Sequence, residues 1–281
     1  MNLLSQNSPF YESVTKIALK ILNNNTEIPE TTKKLSEKNP CHEKVRNVAM
    51  KILNSNKDIP EIIEKNWTFS VIDDSEEKRL FILSNGDICV FTGILKHFAN
   101  DDQLGIALAH EIAHVCLDHS TESVSQFIYL CLTMLIPLTA IWAFVSFRGF
   151  KVPFWTTAIL FPIFVISNNH FSRIREIEAD EFGLQLASKA CIDIRQAPLL
   201  MDKFEKSARE QQWKLPELFC SHPNFETRKE HFVNLLLDHL DLRLSCGCDQ
   251  LPKCDKTTEE LKQIVNLMQR PYLTEKILSR I

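Results

Sequence analysis

The chain has 281 residues, 44% of them apolar, enough to bury a core in one large domain or two small ones. A net charge of −4 and a pI near 6.2 exclude the basic field a nucleic-acid binder needs. With only six glycines there is no Gly-rich phosphate loop, and the low count suits a helix-rich chain.

The opening residues, MNLLSQNSPFYES, show neither a basic stretch leading into an apolar one nor an Arg-rich amphipathic presequence. Residues 14–30 (VTKIALKILNNNTEIPE) and 45–61 (VRNVAMKILNSNKDIPE) repeat each other, each reading as an amphipathic helix ended by Asn and an Ile-Pro-Glu turn. Two copies are too few for a solenoid, so residues 1–66 read as an N-terminal helical segment with one duplicated helix. The runs 67–73, 79–83 and 87–91 are β-branched and aromatic, and Asn85-Gly86 separates the last two, which predicts short antiparallel strands. Asp87, Ile88, Cys89, Val90 and Phe91 form either an edge that pairs with an extended peptide substrate or an ordinary core strand. A helix capped by Asn100 or Asp101 then runs to about His119.

That helix carries His110-Glu111-Ile112-Ala113-His114, an HExxH pattern. Residues four apart share a helix face, so both imidazoles can grip one metal ion, with Glu111 beside it to handle a bound water. This is the donor arrangement of a zinc peptidase, and it implies one catalytic Zn2+.

Ser123 to Phe147 contains no charged residue, and after Arg148–Lys151 a second uncharged stretch runs from Val152 to Asn169. The first is long enough to span a bilayer core of about 30 Å, the second marginally so. The reading is a membrane-inserted hairpin over 123–169, the alternative a hairpin buried in the domain or lying at the interface. If both sides of it serve one metal, the chain crosses an even number of times. Arg148 and Lys151 then mark the side opposite the catalytic groups.

A catalytic zinc takes three protein ligands. The pattern HExxHxxGxxH is excluded, because Leu117 and Ser120 stand where its glycine and third histidine belong. The best remaining ligand is Glu176, in Glu176-Ile-Glu-Ala-Asp180. Asp180, on the same helix face, is placed to accept the free ring N–H of a ligand histidine. Nine cysteines occur, and Cys246, Cys248 and Cys254 cluster without the paired CxxC of a zinc ribbon, so they read as plain thiols, a disulfide or minor metal site being the alternative. The elements predict a mostly α, α+β fold, with residues 67–281 forming a zincin-like peptidase domain. It has a small antiparallel sheet and is interrupted by the hydrophobic helical hairpin.

HEIAH, then SRIREIEAD, then SHPNFETR with His222 and Arg228, resemble the membrane-associated gluzincin metallopeptidases, a family that includes the HtpX heat-shock protease and the CAAX prenyl protease. Ser84–Leu95, Lys189–Arg195 and Cys246-Gly247-Cys248 are most similar to its mitochondrial inner-membrane branch, whose activity overlaps that of the m-AAA protease. The resemblance covers roughly residues 45–255. It implies a gluzincin fold and a stress-activated endopeptidase in the inner membrane, facing the intermembrane space. The implied substrates are membrane-anchored proteins, a dynamin-like GTPase among them. Membrane lipid and a homo-oligomer are the other expected partners, and no nucleic acid. His222 is expected to stabilise the oxyanion and Arg228 to position or share that charge, the alternative for His222 being a helix-start residue before Pro223. Two other functions stay open: a CAAX-type prenyl-peptide protease and a catalytically silent membrane adaptor.

Overall fold

The computed structural model describes residues 33–147, 153–210 and 224–280. In chain order the elements are α1 (Pro40–Ser55), α2 (Pro60–Glu64), β1 (Thr68–Ile72), β2 (Leu80–Ile82), β3 (Asp87–Phe91), α3 (Thr92–Leu95) and α4 (Asp101–Cys116). There follow α5 (His119–Leu130), a π-helical segment (Cys131–Leu135), α6 (Ile136–Phe147), α7 (Pro153–Lys189), α8 (Gln196–Glu210), α9 (Phe225–Ser245), α10 (Lys256–Leu267) and α11 (Pro271–Arg280). The expectation of a mostly helical chain with a small sheet holds. Of the duplicated helix, the 14–30 copy lies outside the described residues.

Residues 33–117, 175–210 and 224–280 make one unit. In α1, Pro40 occupies the first turn and the Asn39 side chain accepts the Cys41 N–H, so the helix start is fixed locally. Val45, Val48, Ala49, Ile52 and Leu53 then fall on one buried face. Full burial of a side chain such as Ile52 contributes roughly 1.5–3 kcal/mol. This face packs against α4 and β1, so α1 shares its core with the HExxH helix.

The sheet is mixed rather than antiparallel, with strand order β1-β3-β2. The β2–β3 hairpin turns at Asn85-Gly86, where Gly86 adopts φ +97° and Asn85 Oδ1 accepts the Asp87 N–H. β1 pairs with β3 in parallel, Thr68 opposite Asp87 and Ile72 opposite Phe91. The reason is non-local: the 73–79 connection returns the chain far enough for β3 to slot between β1 and β2. Along the outer edge of β1, Leu35 N–H donates to Val71 O and Asp73 N–H to Lys33 O.

A disulfide joins Cys191 to Cys248 across 57 residues. This corrects the reading of Cys248 as a plain thiol, while Cys246 and Cys254 are exposed and free. The segment between α7 and α8 is held further by Arg243, which donates to Ile192 O, and by Asp102, which accepts the Asp193 N–H. Arg195, buried at 1% exposure, gives its donors to Asp193, Asp255, the Thr258 hydroxyl and Pro252 O.

The described part of the second unit is 118–147 and 153–174. α4 does not reach His119 as expected: Asp118 takes a left-handed conformation at φ 52° and a new helix starts after it. Pro137 lacks an N–H for the carbonyl four residues back, and the turn just before it widens into the π segment, where Ile136 N–H donates to Cys131 O. Phe127 and Phe164 meet edge to face at 6.1 Å. His119–Phe144, 26 residues containing an 18-residue window of mean hydropathy 2.1, is the one stretch among the described residues long and apolar enough to cross a bilayer. Its Tyr129, Ile136, Ile141 and Phe144 are all more than half exposed.

Candidate metal centre

The centre is built from α4 and α7. Asn100 caps α4 by accepting the Gln103 N–H, and Asp101 and Asp102 in the first turn suit the positive helix end. Leu104, Leu108 and Ile112 are fully buried and lock the rotation of the helix, with Ala109 and Ala113 beside them. His110 and His114 are thereby set on one side, their ring centroids 4.7 Å apart. Glu176 and Asp180, four apart on α7, face them.

His110 Nε2 lies 3.1 Å from His114 Nε2 and 3.6 Å from Glu176 Oε2, and His114 Nε2 lies 3.5 Å from Glu176 Oε1. Zinc bonds of about 2.0–2.1 Å at tetrahedral angles separate ligand atoms by about 3.4 Å, so this triangle has the dimensions of one tetrahedral face. Two imidazoles and one carboxylate are also a donor set suited to zinc rather than to calcium or magnesium. Among the described residues this is the one His/Cys/Asp/Glu group able to hold a metal.

Behind the triangle, Asp180 Oδ1 lies 2.9 Å from His110 Nδ1. The same carboxylate accepts from Arg228 Nε at 2.7 Å and Nη2 at 2.6 Å, and Arg228 Nη1 lies 3.6 Å from Glu176 Oε2. Burial opposes charge on Asp180, yet Arg228 and His110 outweigh it and hold the carboxyl below its usual range. Burial likewise opposes protonation of His110, but Asp180 and Glu176 carry its pKa up to about 9. Glu111 is raised as well, but by burial itself: desolvation pushes its carboxyl up, as a proton acceptor in such a site requires.

His110, Glu111, His114, Glu176, Asp180 and Arg228 are therefore drawn together from three helices. Arg228 gives its Nε and Nη2 to Asp180 and so backs the carboxylates. His222 lies outside the described residues. The expected substrate edge, Asp87, Ile88, Cys89, Val90 and Phe91, is corrected. β3 is the central strand, both its edges are taken by β1 and β2, and Ile88 to Phe91 are buried. Sequence reading also missed Gly183, where α7 comes against the backbone of His110. A glycine deep inside an otherwise helical pattern was the available signal.

A family model described as Peptidase family M48 matches residues 37–235. The chain is similar to the protein named Metalloendopeptidase OMA1, mitochondrial, of Bos taurus, 36% identical over 196 residues, which are 68% of this chain and 36% of that one. The Danio rerio protein of that name is 35% identical over 67% of this chain and 39% of its own length. For the Homo sapiens protein the identity is 35%, over 69% of this chain and 37% of that one. The chain thus spans a little over a third of the length of these relatives.

Proposed function

Because the chain belongs to peptidase family M48, we propose that it is a zinc metalloendopeptidase cutting membrane-anchored proteins. The observation that carries this reading is the triangle of His110, His114 and Glu176 with Glu111 beside it. Zinc, when bound, supplies a Lewis acid for the scissile carbonyl and acidifies water. Glu111, its proton affinity raised by desolvation, takes a proton from that water and delivers it to the leaving amine. Asp180 fixes the His110 ring through Nδ1 and so turns Nε2 toward the metal. Arg228 helps keep the Asp180 carboxylate ionised. His222 remains our choice for stabilising charge on the carbonyl oxygen.

The expected substrate strand passes from β3 to β2. This strand packs on α4 and has no strand on its outer side among the described residues. Phe91 N–H donates to Arg79 O and Leu83 N–H to Asp87 O, so alternation turns the backbone groups of Leu80 and Ile82 outward. An extended peptide would pair there, which tolerates varied sequences.

The location we propose is the mitochondrial inner membrane, with the catalytic groups on the intermembrane-space side and a dynamin-like GTPase among the substrates. The relatives' printed names support the organelle. His119–Phe144 supports the membrane, and the Cys191–Cys248 disulfide supports an oxidising compartment. The test is Glu111→Gln in liposomes. The variant keeps one zinc per chain and loses proteolysis of an anchored substrate; turnover that survives refutes the mechanism, and wild-type protein without zinc refutes the reading.

A further inference from the structure

We infer that Gly183 sets the spacing between α4 and α7 and is thereby a positioning residue for the metal centre. The inference rests on the zinc reading above. Gly183 follows Glu176 by seven residues and Asp180 by three, so all three share one face of α7. A Cβ at Gly183 would lie 2.9 Å from His110 Cα, 3.0 Å from His110 N and 3.2 Å from the Ala109 carbonyl carbon. Comfortable carbon contacts begin at about 3.5 Å. All three atoms are main chain, and none can rotate aside as a side-chain tip can.

At the level of the first histidine the two helices therefore meet backbone to backbone. The contacts that define the centre span the same gap: His110 Nε2 to Glu176 Oε2 at 3.6 Å and His110 Nδ1 to Asp180 Oδ1 at 2.9 Å. Parting the helices lengthens both together, and a metal site tolerates only about 0.5 Å of such error. Glycine inside a helix is less favourable than alanine, so the 37-residue α7 keeps it here against local preference. Gly105, on α4 itself, is the contrast. Its added Cβ would meet Ile192 Cδ1 at 2.6 Å, Ile192 Cγ1 at 3.3 Å and Val48 Cγ1 at 3.4 Å, all flexible side-chain atoms of the core.

The experiment compares the full chain with Gly183→Ala and with Gly105→Ala. It reads zinc affinity by chelator competition, the visible spectrum of the Co2+-substituted protein, and thermal unfolding without metal. For Gly183→Ala we expect zinc affinity to fall roughly 10–100-fold, the size of effect seen when ligand support is disturbed. The cobalt bands shift, and the metal-free protein stays folded. For Gly105→Ala the expected loss is in metal-free stability, with zinc affinity kept and Ile192→Val restoring the fold. Unchanged zinc affinity and cobalt spectrum in Gly183→Ala overturn the inference alone. So does failure of that variant to fold without metal, since the glycine then serves the core and not the centre. A wild-type chain that binds no zinc overturns the metal reading and this inference together.

Discussion

Asp180 serves two partners with one carboxylate. It faces His110 Nδ1 and accepts two hydrogen bonds from Arg228, at 1% exposure. Asp180→Asn keeps the shape and removes the charge, which takes from the buried Arg228 guanidinium its nearest counter-ion. Breaking a buried pair from one side costs about 3–5 kcal/mol, and losing the support behind a ligand histidine lowers metal affinity about 10–100-fold. Urea unfolding of metal-free protein should show the first effect and chelator competition the second. Adding Arg228→Met should recover most of the stability but none of the zinc affinity; recovery of both would mean Asp180 acts only as a counter-ion. His110 gives a second prediction. Burial works against its charge, its carboxylate neighbours raise its pKa to about 9, and an unfolded histidine titrates near 6.5. The folded-state value is the higher one, so its stabilisation is complete below about pH 6.5 and is lost as pH rises through about 9. Metal-free protein should weaken across that window, and zinc-loaded protein should not share the trend, because a ligand imidazole is already unprotonated. A flat profile without metal would remove His110 from this role.

At the scale of elements, the sheet decides where a substrate can pair. β3 looked like an edge because its sequence precedes the HExxH helix, but strand position depends on which segments close on either side of it. Leu80 and Ile82 present their backbone groups away from β3, so proline at 82 removes one outward donor and leaves the β2–β3 ladder intact. Ile82→Pro should raise KM for an extended peptide about tenfold, the worth of one hydrogen bond, with the fold and zinc content unchanged. An unaltered KM would place the substrate elsewhere. The disulfide teaches a similar lesson. Cys246, Cys248 and Cys254 invited a local pairing, whereas Cys248 reaches back 57 residues to the end of α7.

For the whole molecule, the chain combines a unit holding the candidate metal centre with a second unit in which Tyr129, Ile136, Ile141 and Phe144 are more than half exposed. Exposed Tyr129, Ile141 and Phe144 would be costly in water and are at home in lipid. The chain should float with liposomes and stay with them through carbonate and high salt. Release by carbonate would show that another protein, not the bilayer, covers this surface.

The sequence alone determined what depends on short-range periodicity. His110, Glu111 and His114 follow from the 3.6-residue repeat, as does the pairing of Glu176 with Asp180 on one face. The uncharged stretch through Phe147 is equally legible, because a bilayer reads length and hydropathy directly. Tertiary structure decided what depends on segments distant in the chain. The pairing of β3 with β1, the commitment of Arg228 to Asp180, the Cys191–Cys248 bond and the backbone contact at Gly183 all join residues 19 or more apart. Such contacts are fixed by the closing of loops and the packing of faces, and no local pattern of residue types encodes which partner a face will meet.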